Sequence, residues 1–220
     1  MKREIHTTND GSTTIHLPDW NESYHSKHGA IQEACHVFIK NGLSFINKNK
    51  YSILEIGFGT GLNAFITFLH SKNNNHTIDY VGVEAYPIEP EEALLMNYVA
   101  VLNATNDAAI FKIMHQSNWD EKIEISNIFS LVKRKQFFQD ITDENSFDLI
   151  YFDAFGYRVQ PELWSLEIFK KMYTALKING VIVTYACRSS IKKAMIESGF
   201  TVEKLPGAPG KREMLRATKK

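Results

Sequence analysis

Apolar runs typical of buried strands alternate with helix-like segments along most of this chain. The clearest runs are YSILEIG at 51–57, IDYVGVEAY at 78–86, SFDLIYFDAF at 146–155 and GVIVTYAC at 180–187. Continuous apolar strands separated by helices are typical of a parallel sheet that is covered on both faces. The alternation therefore predicts an α/β fold with a mostly parallel, doubly wound sheet.

The remaining segments predict helices and two hairpins. Helical periodicity covers 28–46, 61–71, 88–103, 165–177 and 189–200. A hairpin is predicted within 123–140, and two last strands, 200–206 and 211–218, follow each other without a helix. Because the turn-rich PGAPG joins this last pair, we expect an antiparallel hairpin at one sheet edge. The chain, 1–220, is interpreted as one domain, with an N-terminal extension at 1–27 before a core at 28–220.

Composition limits the class of protein. Hydrophobic residues make up 44% and charged residues 23% of the 220 residues, as in soluble globular proteins. No apolar stretch approaches the roughly 20 residues of a membrane helix, and the N-terminus lacks the apolar core of a signal peptide. We therefore expect a cytoplasmic protein without a membrane partner, in which Cys35 and Cys187 are reduced thiols.

The formal net charge is zero, but charge is unevenly distributed along the chain. Residues 188–220 carry nine Lys or Arg and three Glu, a local charge of +6. A basic end on an acidic body is compatible with a docking patch for a polyanion, and equally with a solvated face and tail. Charge alone leaves both interpretations open.

Glycines follow the first strand in the pattern G-x-G-x-G-x-N. Glu55 precedes Gly57, Gly59 and Gly61, and Asn63 begins the next helix. In open α/β sheets ligands bind at the carboxyl ends of strands, where glycine lets them approach the backbone. The spacing differs from the G-x-G-x-x-G of dinucleotide sites, and a carboxylate there would repel phosphate and attract an ammonium or sulfonium group. By itself the glycine pattern is weak evidence for a ligand, and a tight turn without a ligand is the alternative. The charge of Glu55 suits the amino-acid end of S-adenosylmethionine better than a phosphate.

Three further carboxylates are candidates for binding or catalysis. Glu84 ends the second strand, where it can bind the ribose hydroxyls of an adenosine-containing cofactor, NAD or S-adenosylmethionine. Asp140 follows two phenylalanines and is a candidate for the adenine amino group or for a helix N-cap. Asp153 ends the third strand and can accept hydrogen bonds from a reacting amine, or cap the following loop.

Aromatic and basic side chains complete the candidate set. Phe155, Tyr157 and Trp164 are candidates for the wall of a pocket for a planar base, although single aromatic residues more often pack in the core. Lys211 and Arg212 lie in a glycine-containing turn that can contact phosphates or remain solvated.

Four blocks, taken together, resemble one known family. They are G-F-G-T-G-L-N at 57–63, Y-V-G-V-E-A-Y-P at 80–87, F-D-A-F and P-E-L-W within 152–164, and G-F-T-V-E-K and G-K-R-E-M-L within 199–215. In the same order, over about 22–216, they resemble the methyltransferase domain of the bifunctional tRNA 5-methylaminomethyl-2-thiouridine biosynthesis protein, MnmC. The resemblance indicates a stand-alone version of that domain, without the fused flavin-dependent oxidase.

The resemblance implies a Rossmann-like class I fold that uses S-adenosyl-L-methionine and no metal. The reaction would methylate the aminomethyl group on the wobble uridine of tRNA, forming 5-methylaminomethyl-(2-thio)uridine; a separate oxidase or modification enzyme would supply that group. Asp153 would face the acceptor amine. The implied cofactor residues are Glu55, Gly57, Gly59, Thr60, Gly61, Asn63, Glu84 and Asp140, and the candidate substrate residues are Phe155, Tyr157, Trp164, Lys211 and Arg212.

Two departures from the family and three alternatives remain. The family's D-G-F-A-P loop is D-A-F-G-Y at 153–157, and its G-R-K-R-E-M turn is P-G-K-R-E-M at 209–214, with one basic residue fewer. The alternatives are a class I methyltransferase for another amine, on a small molecule or a protein, a dehydrogenase, which the glycine spacing disfavours, and a non-catalytic tRNA-binding module.

Overall fold

Two sheets organise the computed structural model, which describes residues 2–220. The small sheet lies at the N-terminus and is antiparallel; its strands are β1 (Glu4–Thr7), β2 (Thr13–Leu17) and β3 (Glu22–Ser23). The large sheet has eight strands, which are β4 (Lys50–Ile56), β5 (Thr77–Glu84), β6 (Lys122–Ser126), β7 (Phe129–Lys135), β8 (Phe147–Phe152), β9 (Leu176–Thr184), β10 (Thr201–Pro206) and β11 (Glu213–Thr218).

The large sheet has a parallel centre and two antiparallel edges. Its spatial order is β10-β11-β9-β8-β4-β5-β7-β6, and β9, β8, β4, β5 and β7 run parallel. All six residues of β8 are buried, as expected for a strand covered on both faces. The hairpins β6–β7 and β10–β11 form the two edges. The predicted Rossmann-like fold, with its C-terminal hairpin, is confirmed.

The sheet register brings the candidate residues to one edge. Glu55 of β4 lies opposite Gly82 of β5 on one side and Tyr151 of β8 on the other. Because these strands are parallel and in close register, the loops after β4, β5 and β8 leave the sheet side by side.

Seven α-helices connect or flank the strands. They are α1 (Ala30–Ala34), α2 (Leu62–Asn74), α3 (Pro90–Ala93), α4 (Tyr98–Val101), α5 (Ala108–Gln116), α6 (Leu166–Ala175) and α7 (Ser189–Glu197). The helices predicted at 61–71, 165–177 and 189–200 correspond to α2, α6 and α7. The amphipathic helix α5 was not predicted. Residues 2–220 contain no helix with the length and hydrophobicity needed to cross a membrane.

Two predicted helices are wrong in their extent. The segment 28–46 forms α1, a π-helical segment at Cys35–Lys40 and a 3₁₀ turn at Leu43–Phe45; Gly42, with ψ −85°, separates the last two. The segment 88–103 is divided into α3 and α4. Asn97 lies between them, where its Oδ1 accepts the backbone N–H of Thr13 at 2.9 Å. This contact comes from the N-terminal sheet, so helical periodicity within the segment does not reveal it.

The N-terminal sheet packs onto the large sheet. Ile15 and Leu17 of β2 are buried in the same core cluster as residues of β4. Arg3 forms an ion pair with Glu92 of α3, with 2.7 Å between Nη1 and Oε2. The division into a 1–27 extension and a 28–220 core stays a prediction, but the first 27 residues supply part of the wall of the site described below.

Candidate active site

Two adjoining cavities lie at the carboxyl ends of β4, β5 and β8. The first has a volume of about 570 Å³ and the second of about 560 Å³. Tyr24, Glu84 and Phe155 line both cavities, so the two form one elongated site with these side chains at the junction. An elongated site suits a ligand with two chemically different ends.

The loop after β4 brings backbone, without side chains, to the first cavity. Gly57 and Gly59 line it, and both have positive φ, 89° and 48°. A methyl group on Gly57 would lie 2.7 Å from the carbonyl oxygen of Asp153. Gly61, φ 69°, turns the chain into α2. Gly57 and Gly59 therefore form a glycine cradle at the first cavity, because a side chain at Gly57 would collide with the Asp153 backbone and one at Gly59 would crowd Tyr24.

Glu84 lies where the two cavities meet. Its Oε2 accepts the backbone N–H of Gly59 at 3.1 Å, and its Oε1 accepts that of Tyr86 at 3.0 Å. Burial raises the pKa of Glu84, while these backbone donors oppose the increase. The carboxylate is held rigidly beside the glycine loop, in the position that hydrogen bonding to ribose hydroxyls requires; the role itself stays a prediction.

Glu55 does not face either cavity. Its side chain is completely buried and its Oε2 accepts the hydroxyl of Tyr80 at 2.9 Å. Burial raises the pKa of Glu55 well above its ordinary value, and the nearby Asp153 adds to the increase. The expectation that Glu55 contacts the amino-acid end of the cofactor therefore does not fit the structure. Glu55 is the next-to-last residue of β4, so its side chain lies within the layers of the fold.

Asp153 follows β8 and lines the first cavity. Its backbone N–H donates to the carbonyl of Ile56 at 2.9 Å, and its Oδ2 accepts Nδ2 of Asn63 at 2.8 Å. Burial raises the pKa of Asp153 to about 7; Glu33 adds to the increase, and Asn63 and Lys211 oppose it. A carboxyl group with such a pKa exchanges a proton readily near neutral pH. Asn63 is 3% exposed and reaches the site only through Asp153.

Three predicted site residues have structural positions instead. Thr60 is buried, with 3.0 Å between its hydroxyl and that of Tyr98. Trp164 is also buried, and its Nε1 donates to the carbonyl of Phe155 at 2.8 Å. This hydrogen bond helps to fix the loop after β8. Tyr157 lies beneath the guanidinium of Arg188, 4.5 Å from the ring centroid. Of the three predicted aromatic residues, Phe155 alone is among those that line the cavities.

Asp140 and Arg212 are exposed. Asp140 ends the 3₁₀ turn Phe138–Asp140, and the residues of this segment that line the second cavity are Phe137, Phe138 and Gln139. The adenine role of Asp140 thus has no support from the cavity geometry. Arg212 lies beside Lys211, and Lys211 itself lines the first cavity.

Lys211 belongs to a cluster that the sequence did not reveal. Its Nζ forms a close ion pair with Glu33 of α1 and lies 4.0 Å from the ring centroid of Tyr185. The Tyr185 hydroxyl donates to the carbonyl of Ala154 at 2.8 Å. The three side chains come from three distant segments, so no spacing within one motif indicates them. The cluster forms part of the wall of the first cavity.

Ion pairs neutralise part of the basic C-terminal segment. Within residues 188–220, Lys193, Lys204 and Arg216 each pair with a glutamate of the same segment. Lys219 is buried and donates to Asn145 and to the carbonyl of Leu176. These three glutamates are already subtracted in the local charge of +6, so the exposed positive charge is reduced instead by the burial of Lys219 and by the pairing of Lys211 with Glu33.

Comparisons with known proteins identify the family of the chain. The family model described as S-adenosyl-L-methionine-dependent methyltransferase matches residues 107–220. Relatives include tRNA 5-methylaminomethyl-2-thiouridine biosynthesis bifunctional proteins MnmC from Burkholderia multivorans and from Leptospira borgpetersenii. Each is 27% identical; the alignments cover 92% and 89% of this chain and 33% and 32% of the relatives. The chain thus spans about a third of the length of these curated relatives, and the resemblance seen in the motifs is confirmed.

Solved structures show the same fold. MnmC2 from Aquifex aeolicus superposes with a TM-score of 0.77 at 24% identity and covers 100% of this chain and 71% of that one. Spermidine synthase from Thermotoga maritima superposes with a TM-score of 0.54 at 13% identity and covers 99% and 72%. Together with the glycine cradle and the match over more than half of its residues, these findings show that the chain belongs to the S-adenosyl-L-methionine-dependent methyltransferase family, with S-adenosyl-L-methionine as its cofactor.

Proposed function

We propose that the chain methylates the amino nitrogen of an aminomethyl group on the wobble uridine of tRNA, forming 5-methylaminomethyl-(2-thio)uridine. The names of its relatives and the four shared blocks suggest this substrate. The observation that carries the proposal is Asp153, a carboxyl group that lines the first cavity and has a pKa of about 7. An amine acceptor requires such a group, because an alkylamine near neutral pH is mostly protonated and only its neutral form is nucleophilic.

In this proposal Asp153 accepts a proton from the acceptor amine. Asn63 holds Oδ2 of the carboxylate, which leaves Oδ1 for the amine. The cavity environment makes the carboxylate a better base than an exposed aspartate. Proton transfer of this kind contributes typically 10²–10⁴-fold to a rate.

The cofactor would occupy both cavities. Gly57 and Gly59 would hold the amino-acid end of the cofactor, and Glu84 would bind its ribose. The adenine would lie against the exposed rings of Tyr86 and Phe137, whose centroids are 5.8 Å apart. Bound there, S-adenosyl-L-methionine supplies an electrophilic methyl group. The loops after β4 and β8 would align the acceptor amine with the methyl group, because in-line displacement depends on the direction from which the amine approaches.

The acceptor nucleotide would enter the first cavity past the N-terminal sheet. Phe155 and Tyr24, with ring centroids 5.0 Å apart and nearly perpendicular, form an aromatic surface for a base. Lys211, in the wall of this cavity, and its neighbour Arg212 would contact the backbone of the tRNA. We assign the formation of the aminomethyl group to a separate enzyme.

The test uses labelled S-adenosyl-L-methionine and tRNA from a strain that lacks this modification. Label should enter tRNA and be recovered, after nuclease digestion, as methylaminomethyl uridine. Matched tRNA from a strain that carries the completed modification should take up none. Transfer to small amines or to protein, with none to tRNA, would support the other methyltransferase alternative. Binding of tRNA without transfer would support the non-catalytic module.

A further inference from the structure

The segment that contains the turn between β2 and β3 borders the junction of the two cavities. It comprises residues 18–24, which we call the cover. Trp20 of the cover lines the second cavity and Tyr24 lines both. None of the cover residues is buried, whereas Leu17, which precedes them, is 2% exposed. A segment with so little buried surface opens at a lower free energy than the core to which it is attached.

Tyr24 contacts both loops that flank the junction. Its ring lies edge to face with the ring of Phe155, in the loop after β8, with 5.0 Å between the centroids. A methyl group on Gly59, in the loop after β4, would lie 3.1 Å from Cδ1 of the same tyrosine. Trp20 also packs edge to face against Phe155, with 5.6 Å between the centroids. A ligand that occupies both cavities therefore passes the Tyr24 ring.

Arg158 links the cover to the loop after β8. Its Nη2 donates to the carbonyl of Asn21 at 2.9 Å and to that of Trp20 at 3.3 Å, and Oε2 of Glu22 lies 3.5 Å from the same nitrogen. Among residues 2–220 no other hydrogen bond joins the cover to this loop. The Arg158 side chain is 62% exposed and is not among the residues that line the cavities.

We propose that Arg158 holds the cover closed over the cofactor, and that the cover opens each time the cofactor enters or leaves. Arg158 is a positioning residue in this scheme, because it acts through the cover. The inference rests on the proposed place of S-adenosyl-L-methionine in both cavities. It does not depend on the identity of the methyl acceptor.

This role has a kinetic signature. Arg158 joins two parts of the protein to each other, so its hydrogen bonds resist opening of the cover both before and after the cofactor binds. Removing them makes opening easier in both states. The association and dissociation rates of the cofactor then rise together, and their ratio, the Kd, changes little. Loss of a direct ligand contact would instead raise the dissociation rate alone.

The first test measures both rates by stopped flow with S-adenosyl-L-methionine. In Arg158→Ala each rate should rise about tenfold, as expected for loss of a hydrogen bond from a charged group, and the Kd should stay within about threefold. Arg158→Lys keeps the charge and a donor, so its rates should stay within about threefold of wild type.

Arg188→Ala is the matched control for this test. Arg188 is also exposed and stacks on Tyr157 of the same loop, 4.5 Å from the ring centroid, but it does not contact the cover. Both rates in this variant should stay within about twofold of wild type. The proposal is overturned if Arg158→Ala behaves like Arg188→Ala, or if only its dissociation rate increases.

The second test follows the cover in the protein without cofactor. The backbone N–H of Trp20 donates to the carbonyl of Leu17 at 3.2 Å, and that of Asn21 to the carbonyl of Pro18 at 3.1 Å. Hydrogen exchange of these two amides should be about tenfold faster in Arg158→Ala, because the cover opens more often. Exchange in β8 should not change. Equal exchange of the two cover amides in variant and wild type would contradict the link through Arg158.

Neither test uses tRNA, so the inference and the proposed function fail separately. Faster cofactor exchange in Arg158→Ala, with no methyl transfer to tRNA by the wild-type protein, would refute the proposed function and support the role of Arg158. Methyl transfer to tRNA, with cofactor rates in Arg158→Ala equal to those of wild type, would overturn the role of Arg158 alone.

Discussion

The carboxyl ends of β4 and β5 lie next to each other and each carries a glutamate, yet the two glutamates have opposite roles. Glu84 is the last residue of β5, lines both cavities and accepts two backbone N–H groups. Glu55 is one residue before the end of β4, is fully buried and faces another side chain, that of Tyr80. Glu55 pairs with Gly82, so Glu84 lies two residues farther toward the carboxyl end of the sheet, on the same face. The two side chains therefore differ in their position along the strands, and of the two only Glu84 reaches the cavities. Residue type at a strand end therefore does not by itself indicate a ligand contact.

The largest expected effect tests whether the catalytic carboxyl group is Asp153, which follows β8, and neither of the two glutamates. Asp153→Asn should lower the turnover number about 100-fold or more, since it removes the proposed proton acceptor. Cofactor affinity should stay within about threefold, because the amide keeps the size and polarity of the side chain. Turnover should be measured with tRNA and cofactor affinity by calorimetry. Unchanged turnover would contradict the role of Asp153.

The next effect compares the two glutamates directly. Glu84→Gln should weaken cofactor binding about tenfold, since two charge-assisted hydrogen bonds lose strength. Glu55→Gln should weaken it by less than about threefold, because Glu55 is buried, lines neither cavity and is replaced by an isostere. Both affinities should be measured by calorimetry at pH 7. Equal losses in the two variants would contradict the distinction between the two strand ends.

A smaller effect concerns stability as a function of pH. Burial raises the pKa of Glu55 well above its ordinary value of 4.5, so above that value the folded protein holds a proton that the unfolded chain releases. The free energy of unfolding should therefore decrease as pH rises, until the folded-state pKa is passed. Asp153, with a pKa of about 7 in place of 3.8, acts in the same direction between those values.

Glu55→Gln removes one of these two contributions. Urea unfolding between pH 5 and pH 8 should show a shallower decrease in the variant than in wild type. Asp153→Asn removes the other contribution and is the matched control. In this variant the slope of the unfolding free energy against pH should change less near pH 7 than it does in wild type. If the curves of unfolding free energy against pH were parallel for wild type and Glu55→Gln, the pKa of Glu55 would be the same in the folded and unfolded states.

The smallest expected effect concerns Asp140. This residue is exposed, whereas its neighbours Phe137 and Phe138 line the second cavity. Asp140→Asn should change the cofactor Kd by less than about twofold, as substitutions at exposed positions usually do. Phe137→Ala is the matched comparison within the same turn and should weaken binding more, because it removes an aromatic surface. A large effect of Asp140→Asn would restore the adenine role that the sequence suggested.

Predictions from local pattern were reliable for the strands and less so for the helices. The apolar runs that became β4, β5, β8 and β9 were recognised because strands buried on both faces are apolar throughout. The helix predicted at 88–103 was wrong because Asn97 binds Thr13, a residue of a different sheet. Gly57, Gly59, Glu84 and Asp153, which were predicted from their positions at strand ends, line the first cavity, and their roles stay predictions. Trp164 was predicted in the pocket, but it packs behind Phe155.

The sequence by itself determined the fold class and, through its resemblance to a known family, the kind of cofactor. These depend on hydrophobic periodicity and on short motifs, which are local along the chain. Tertiary structure alone decided which carboxyl group faces the cavity and which is buried beneath it with a raised pKa. It also brought Glu33 and Lys211 together in the wall of the first cavity. The physical reason is that burial and hydrogen-bond partners set the charge of a carboxyl group, and both come from segments far apart in the chain.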